Sequence, residues 1–168
     1  MCHSLMSRSA TDSTPGLPAA YALLLLDVLK RWHIAEESLL EPFGLDRQML
    51  TSPTTRIPLD TMNGLYEKAL ALTNEPGLPF YIGMQMKLFS HGFIGFAAMT
   101  ADTVAQALEL VERFISLRIM GFAVRLVREG DIAHLYLDTA LTQQPLRNTA
   151  VAALMVGLGQ MAQVITGE

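Results

Sequence analysis

Histidine and cysteine are the side chains best suited to hold a metal or attack a substrate, and this chain has four of the first and one of the second. His3, His33, His91 and His134 are widely separated, whereas a metal site needs several converging ligands. Cys2, as a single thiol, excludes an internal disulfide, a cysteine zinc cluster and a redox pair. There is no glycine-rich phosphate loop, no paired histidine on a helix face and no Gly-x-Ser-x-Gly elbow. No carboxylates cluster in an apolar context either, so the pattern is not that of an enzyme. His33 follows Trp32 at a helix end, where an imidazolium can meet terminal carbonyls, and His134 falls on the outer face of a hairpin. His91 stays open. It sits in Leu88-Phe89-Ser90-His91-Gly92-Phe93-Ile94-Gly95-Phe96, which reads either as tight helix packing or as the wall of a pocket. The ten methionines pose the same choice between core filler and an adaptable apolar pocket.

Residues that could bind without reacting are easier to find. Phe93, Phe96, Met99, Phe114, Arg118 and Tyr136 are the expected lining of an effector pocket, built from the Phe93–Met99 stretch, a long helix and a hairpin. Arg118 closes an apolar helix, and its planar fork suits an effector carboxylate. The competing view makes it a solvated terminal arginine. No cofactor is implied.

The elements that must position these residues follow from periodicity. Tyr21 to Trp32 is so densely apolar that a helix there must be nearly surrounded by protein. Glu36 to Phe43 is a short helical piece stopped by Gly44, and Thr51 to Thr55 has turn composition. Ile57-Pro58-Leu59 opens a helix with proline in its first turn, and Met62, Leu65, Tyr66, Ala69 and Leu72 keep helical spacing. Phe80 to Leu88 is a further helix. Thr103 with Gln106 forms a capping box, starting a helix that runs to about Arg118. Two adjoining apolar stripes, Val104, Leu108, Val111, Ile115 and Ala107, Leu110, Phe114, Leu117, mark that helix as central.

The period then changes to two. Gly121–Arg128 and Asp131–Asp138 form a hairpin turning at Glu129-Gly130 or Gly130-Asp131, and both registers put Phe122, Val124, Leu126, Leu135 and Leu137 on one side. A last helix runs from Leu146 to Ile165. The expected fold is α+β, predominantly helical with a small antiparallel β-hairpin.

Composition narrows the function classes. With 12 basic and 16 acidic residues among 168, the net charge is −4, a poor match to a polyanion. Asp27, Lys30 and Arg31 cut the Leu23–Leu26 run far below the about 20 residues a membrane span needs. Residues 1–15 are polar and Ser/Thr-rich and are expected to be a disordered tail, with 16–168 forming one cytoplasmic domain.

Arg56-Ile57-Pro58-Leu59, Leu65-Tyr66-Glu67-Lys68-Ala69-Leu70-Ala71-Leu72-Thr73 and Gly92-Phe93-Ile94-Gly95-Phe96-Ala97-Ala98-Met99-Thr100, followed by Thr103 and Ala107-Leu108, carry a resemblance. In order and spacing they resemble the arabinose-binding-type N-terminal domain of AraC/XylS-family transcription regulators, over roughly residues 20 to 165. Val104-Ala105-Gln106 stands where that family usually has Leu-Gly-Glu. The resemblance implies a small-molecule effector, a homodimer, and DNA contact only through a C-terminal helix-turn-helix module absent from this chain. Two other functions compete. One is a pure oligomerisation module, because Val151, Leu154, Leu158, Met161 and Ile165 step like a coiled-coil seam, interrupted by Gly157 and Gly159. The other is a haem or gas sensor with His91 as axial ligand.

Overall fold

The computed structural model describes residues 16–87 and 92–166. The tail expected over residues 1–15 and the His91 segment lie outside the described residues. The chain is α+β and mostly helical, with two separate two-stranded antiparallel sheets.

Helix α1 (Ala20–Leu29) is the hub. Tyr21, Ala22, Leu24, Leu25, Leu26, Val28 and Leu29 are all buried, as its unbroken apolar run demands. A 3-10 turn carries it on to Trp32, and His33 reverses the chain in the left-handed region. Helix α2 (Glu36–Leu40) and a following 3-10 turn end at Gly44, whose φ of 65° suits glycine. A one-turn helix not foreseen from periodicity, α3 (Arg47–Leu50), is capped by Asp46, which accepts from the Met49 N–H at 2.8 Å.

Strand β1 (Gly16–Pro18) pairs with β2 (Arg56–Pro58) in a three-residue sheet, with Leu17 opposite Ile57. Pro58 therefore ends a strand, and helix α4 (Leu59–Thr73) begins one residue later. Met62, Leu65, Tyr66 and Ala69 are buried as their spacing requires, while Leu72, in the last turn, is 41% exposed. Helix α5 (Leu78–Gln85) starts at Leu78 with proline in its first turn, two residues before the expected Phe80.

Helix α6 (Phe93–Met99) turns its small side down: Ile94, Gly95 and Ala98 are buried. Helix α7 (Val104–Arg118) starts at Thr103, which accepts from the Gln106 N–H at 3.2 Å. The return bond differs from the usual box, because Gln106 accepts from Asp102 N–H at 3.0 Å. The two stripes of α7 do meet two neighbours, α6 and the first strand of the hairpin. The helix is nevertheless marginal rather than central. Only Ala107 and Ile115 are buried and Leu117 is 67% exposed, because among the described residues no layer covers the outer edge of the second stripe.

Strands β3 (Phe122–Glu129) and β4 (Ile132–Thr139) pair with Val124 opposite Leu137 and Leu126 opposite Leu135, which selects the Gly130-Asp131 turn. The inner face holds at its base, where Phe122 and Val124 are buried. It fails toward the tip: Leu135 is 38% exposed because the hairpin extends past the helices that cover its base. Helix α8 (Leu146–Thr166) closes the chain. Its first N–H donates to Asn63 Oδ1 of α4 at 3.0 Å, a cap supplied by another element. Among the described residues no helix is long and apolar enough to cross a membrane.

Helix α8 lies against α5 and not out in solvent as a seam. A Cβ on Gly83 would fall 2.6 Å from Val156 Cβ and 2.7 Å from the Ala153 carbonyl oxygen; one on Gly157 would fall 3.1 Å from Met86 Sδ. These glycines let the two helices approach, whereas Gly159 has nothing within 4 Å of such an atom. Gly83→Ala is therefore expected to cost about 1–3 kcal/mol through overpacking, while Gly159→Ala should gain about 0.5–1 kcal/mol from helix propensity. Urea midpoints of the two variants, opposite in sign relative to the parent, check the assignment.

Candidate functional site

The expected pocket residues are not gathered in one place. Phe93, Phe96 and Met99 recur every third residue along α6, on the side opposite its buried one, and are 60%, 54% and 41% exposed. Phe114 is half-buried, with the Arg113 guanidinium 5.2 Å from its ring centre. Tyr136 stands apart from the others. It lies on the outer hairpin face with the Arg125 guanidinium 4.5 Å over its ring, away from the face that carries Val124 into the core. Its position opposite Arg125 in the ladder dictates this, since alternate residues leave a strand on opposite sides.

Arg118 is the exception, because it turns inward. It is half-buried at the end of α7, its guanidinium 3.6 Å from where a Cβ on Gly92 would stand. Gly92 has φ 62°, so the chain passes the arginine in a conformation that favours glycine. The guanidinium also lies close enough to Tyr21 to act on its phenol by charge and by hydrogen bonding. Its Nε is buried and has no hydrogen-bond partner.

Tyr21 leads into a small apolar cavity. Leu17 of β1, Tyr21 of α1, Tyr66 of α4 and Met86, just past α5, form one side. Ile119, just past α7, and Phe122, the first residue of β3, form the base, and Leu146, Ala150, Ala153 and Leu154 of α8 close it. The free space is about 20 Å³, room for roughly one water-sized group. Each element contributes through the stripe that packs it on the core, so the cavity is a place where five packed elements meet imperfectly.

The two phenols are the polar groups of this lining. Burial pushes the Tyr66 phenol above its ordinary range, and burial is the sole cause. Burial is also the main cause for Tyr21, with the Arg118 charge pulling the other way. Both are neutral donors at physiological pH. Tyr21, Tyr66 and Met86 escaped the sequence reading because each looks like a core residue; the only signal was a phenol on an otherwise aliphatic stripe. His91 lies outside the described residues, and with it the haem alternative.

Known proteins place this geometry in context. The model of the arabinose-binding domain found at the N-terminus of AraC transcription regulators matches residues 34–168. An ornithine utilization regulator from Pseudomonas aeruginosa is 26% identical over 155 residues, which is 90% of this chain and 45% of that relative. The chain thus spans under half the length of the curated relative it matches.

The buried phenols carry a stability signature. In the unfolded chain a tyrosine ionises near pH 10, whereas the folded protein holds Tyr66 protonated beyond that. Above about pH 10 the unfolded state therefore binds fewer protons, and stability falls as pH rises, by up to about 1.4 kcal/mol per pH unit for each such group. Tyr66→Phe should flatten this alkaline decline while leaving stability near neutral pH little changed. Urea unfolding from pH 7 to 11 measures it, and parallel curves for parent and variant would count against a buried neutral phenol.

Proposed function

Because the chain belongs to the family of N-terminal arabinose-binding domains of AraC transcription regulators, we propose that it binds a small-molecule effector in the Tyr21–Tyr66 cavity and passes occupancy to a C-terminal DNA-binding module. The observation that carries the reading is the cavity itself: an apolar lining, two buried phenols, and beside them an arginine whose Nε lacks an acceptor. An apolar lining with a few convergent polar groups is the chemistry that small-molecule sites use, although the present space admits only a water-sized group. A relative named as an ornithine utilization regulator supports the regulatory role. In this reading the approach runs past Arg118 and Gly92, with Phe93 at its rim. Phe96, Met99 and Phe114 lie farther along α6 and α7, and Tyr136 takes no part.

The division of labour follows from charge. The net charge is −4, and α8 carries a single arginine and no lysine, so nonspecific attraction to DNA is weak. The chain alone should give no sequence-specific, salt-sensitive band in a gel shift against the regulator's own promoter at physiological salt. In the full regulator, Ala150→Leu, which fills the cavity, should raise the effector concentration needed for response at least about tenfold while sparing effector-free operator binding. A response unchanged by that substitution would move the effector elsewhere.

A homodimer is part of the same proposal. Phe80 and Met84 of α5 and Met155 of α8 are 55%, 45% and 63% exposed, and Phe80 and Met155 share one surface groove with Val151 and Ala152. Apolar side chains in such a patch favour burial by a partner. Phe80→Glu with Met155→Glu should shift the chain toward monomer in sedimentation equilibrium; an unchanged mass would exclude this face as the contact.

A further inference from the structure

The lining of the cavity restricts what it can hold. A pentose presents hydroxyls on every side and needs several side-chain donors and acceptors to replace its water. The lining offers two phenols and no carboxylate, amide or imidazole. A diamino acid would bring a second ammonium into the interior, where an unpaired charge is prohibitively costly. Among the described residues no carboxylate is buried to meet it.

Arg118 supplies the opposite need. Ion pairs among the described residues join Lys30 and Arg47 to Asp27, Arg47 to Glu36, Arg128 to Glu109 and His134 to Glu129; none involves Arg118. A buried guanidinium nitrogen without an acceptor is rare and costly, and a carboxylate is the acceptor its fork matches best. The Tyr21 phenol stands beside the guanidinium, within hydrogen-bonding reach of it.

Resting on the effector-site reading above, we propose that this site takes a monocarboxylate with an apolar body, its carboxylate received by Arg118 beside Tyr21 and its body seated between Tyr66, Met86 and α8. The present space of about 20 Å³ admits the body only if a wall yields. Met86 is that wall. Its thioether is the flexible side chain of the lining, and it packs over Gly157 of α8, where a Cβ would stand 3.1 Å from its sulfur. An entering apolar body drives Met86 against α8, so occupancy and the position of the last helix are linked.

The test uses the purified chain and calorimetric titration with butyrate, hexanoate and benzoate, each against its primary amide, together with L-arabinose and L-ornithine. At least one acid should bind and exceed its amide by about 10- to 100-fold, the range of a charge-assisted hydrogen bond. Arg118→Gln should erase that preference by weakening the acid alone, and Arg118→Lys should restore part of it, with unchanged circular dichroism showing that both variants fold. Equal binding of acid and amide overturns the proposal, as does a preference that survives Arg118→Gln. Failure of every acid to bind overturns it too. Binding of arabinose or ornithine that Ala150→Leu abolishes would overturn the ligand class while leaving the effector site intact; binding insensitive to Ala150→Leu would remove the site as well.

Discussion

Everything in this domain is arranged around the need to hide α1. A helix apolar on nearly every face cannot lie on a surface, so other elements must enclose it, and α3, α4, α5 and the β1–β2 pair all contact it. The enclosure is close to complete along Leu24 to Leu29 and least regular at the N-terminal end, where Tyr21 replaces an aliphatic residue. A phenol there brings a polar tip into a region built for hydrocarbon, and the cavity opens at that point. The candidate site is thus a by-product of how the hub is buried, placed where the wrapping elements change from α4 and β1 to α8.

Most of the scaffold was legible in the sequence because it rests on local rules. The apolar run of α1, the Thr103 cap, the Gly44 stop and the alternation of β3 and β4 each announce themselves within a few residues. What was not legible depends on distant partners. The β1–β2 pair joins Leu17 to Ile57 across a long stretch of chain, and three-residue strands flanked by prolines carry no periodicity to read. The cover over α7 was misjudged for a related reason: two apolar stripes reveal that neighbours exist, not how far they extend.

Of the residues around the candidate cavity, only Arg118 stood out in the sequence, because its position at the end of an apolar helix is a local fact. Its neighbours did not, because Tyr21, Tyr66 and Met86 come from three elements and are brought together only by the packing. The aromatic cluster of α6 faces outward for a physical reason. Small residues, not large ones, decide which side of a short helix can lie flat on its neighbour, so Gly95 and Ala98 face inward and Phe93 and Phe96 are turned out.

The β1–β2 clasp has a bearing on how the domain assembles in time. Leu17, the first wall of the cavity, is held by a pairing that must close a loop of some forty residues, bounded by Arg56 Nη1 donating to the Gly16 carbonyl at 2.9 Å. Loop closure of that length is entropically costly and slow relative to the local helices, so the clasp belongs late on the folding route. By the same logic it is among the first parts of the native state to open, and it can do so while the α1–α4–α5 core stays intact. Leu17 is thus the part of the cavity lining least secured by local structure, its place depending on a contact made across the whole first third of the chain.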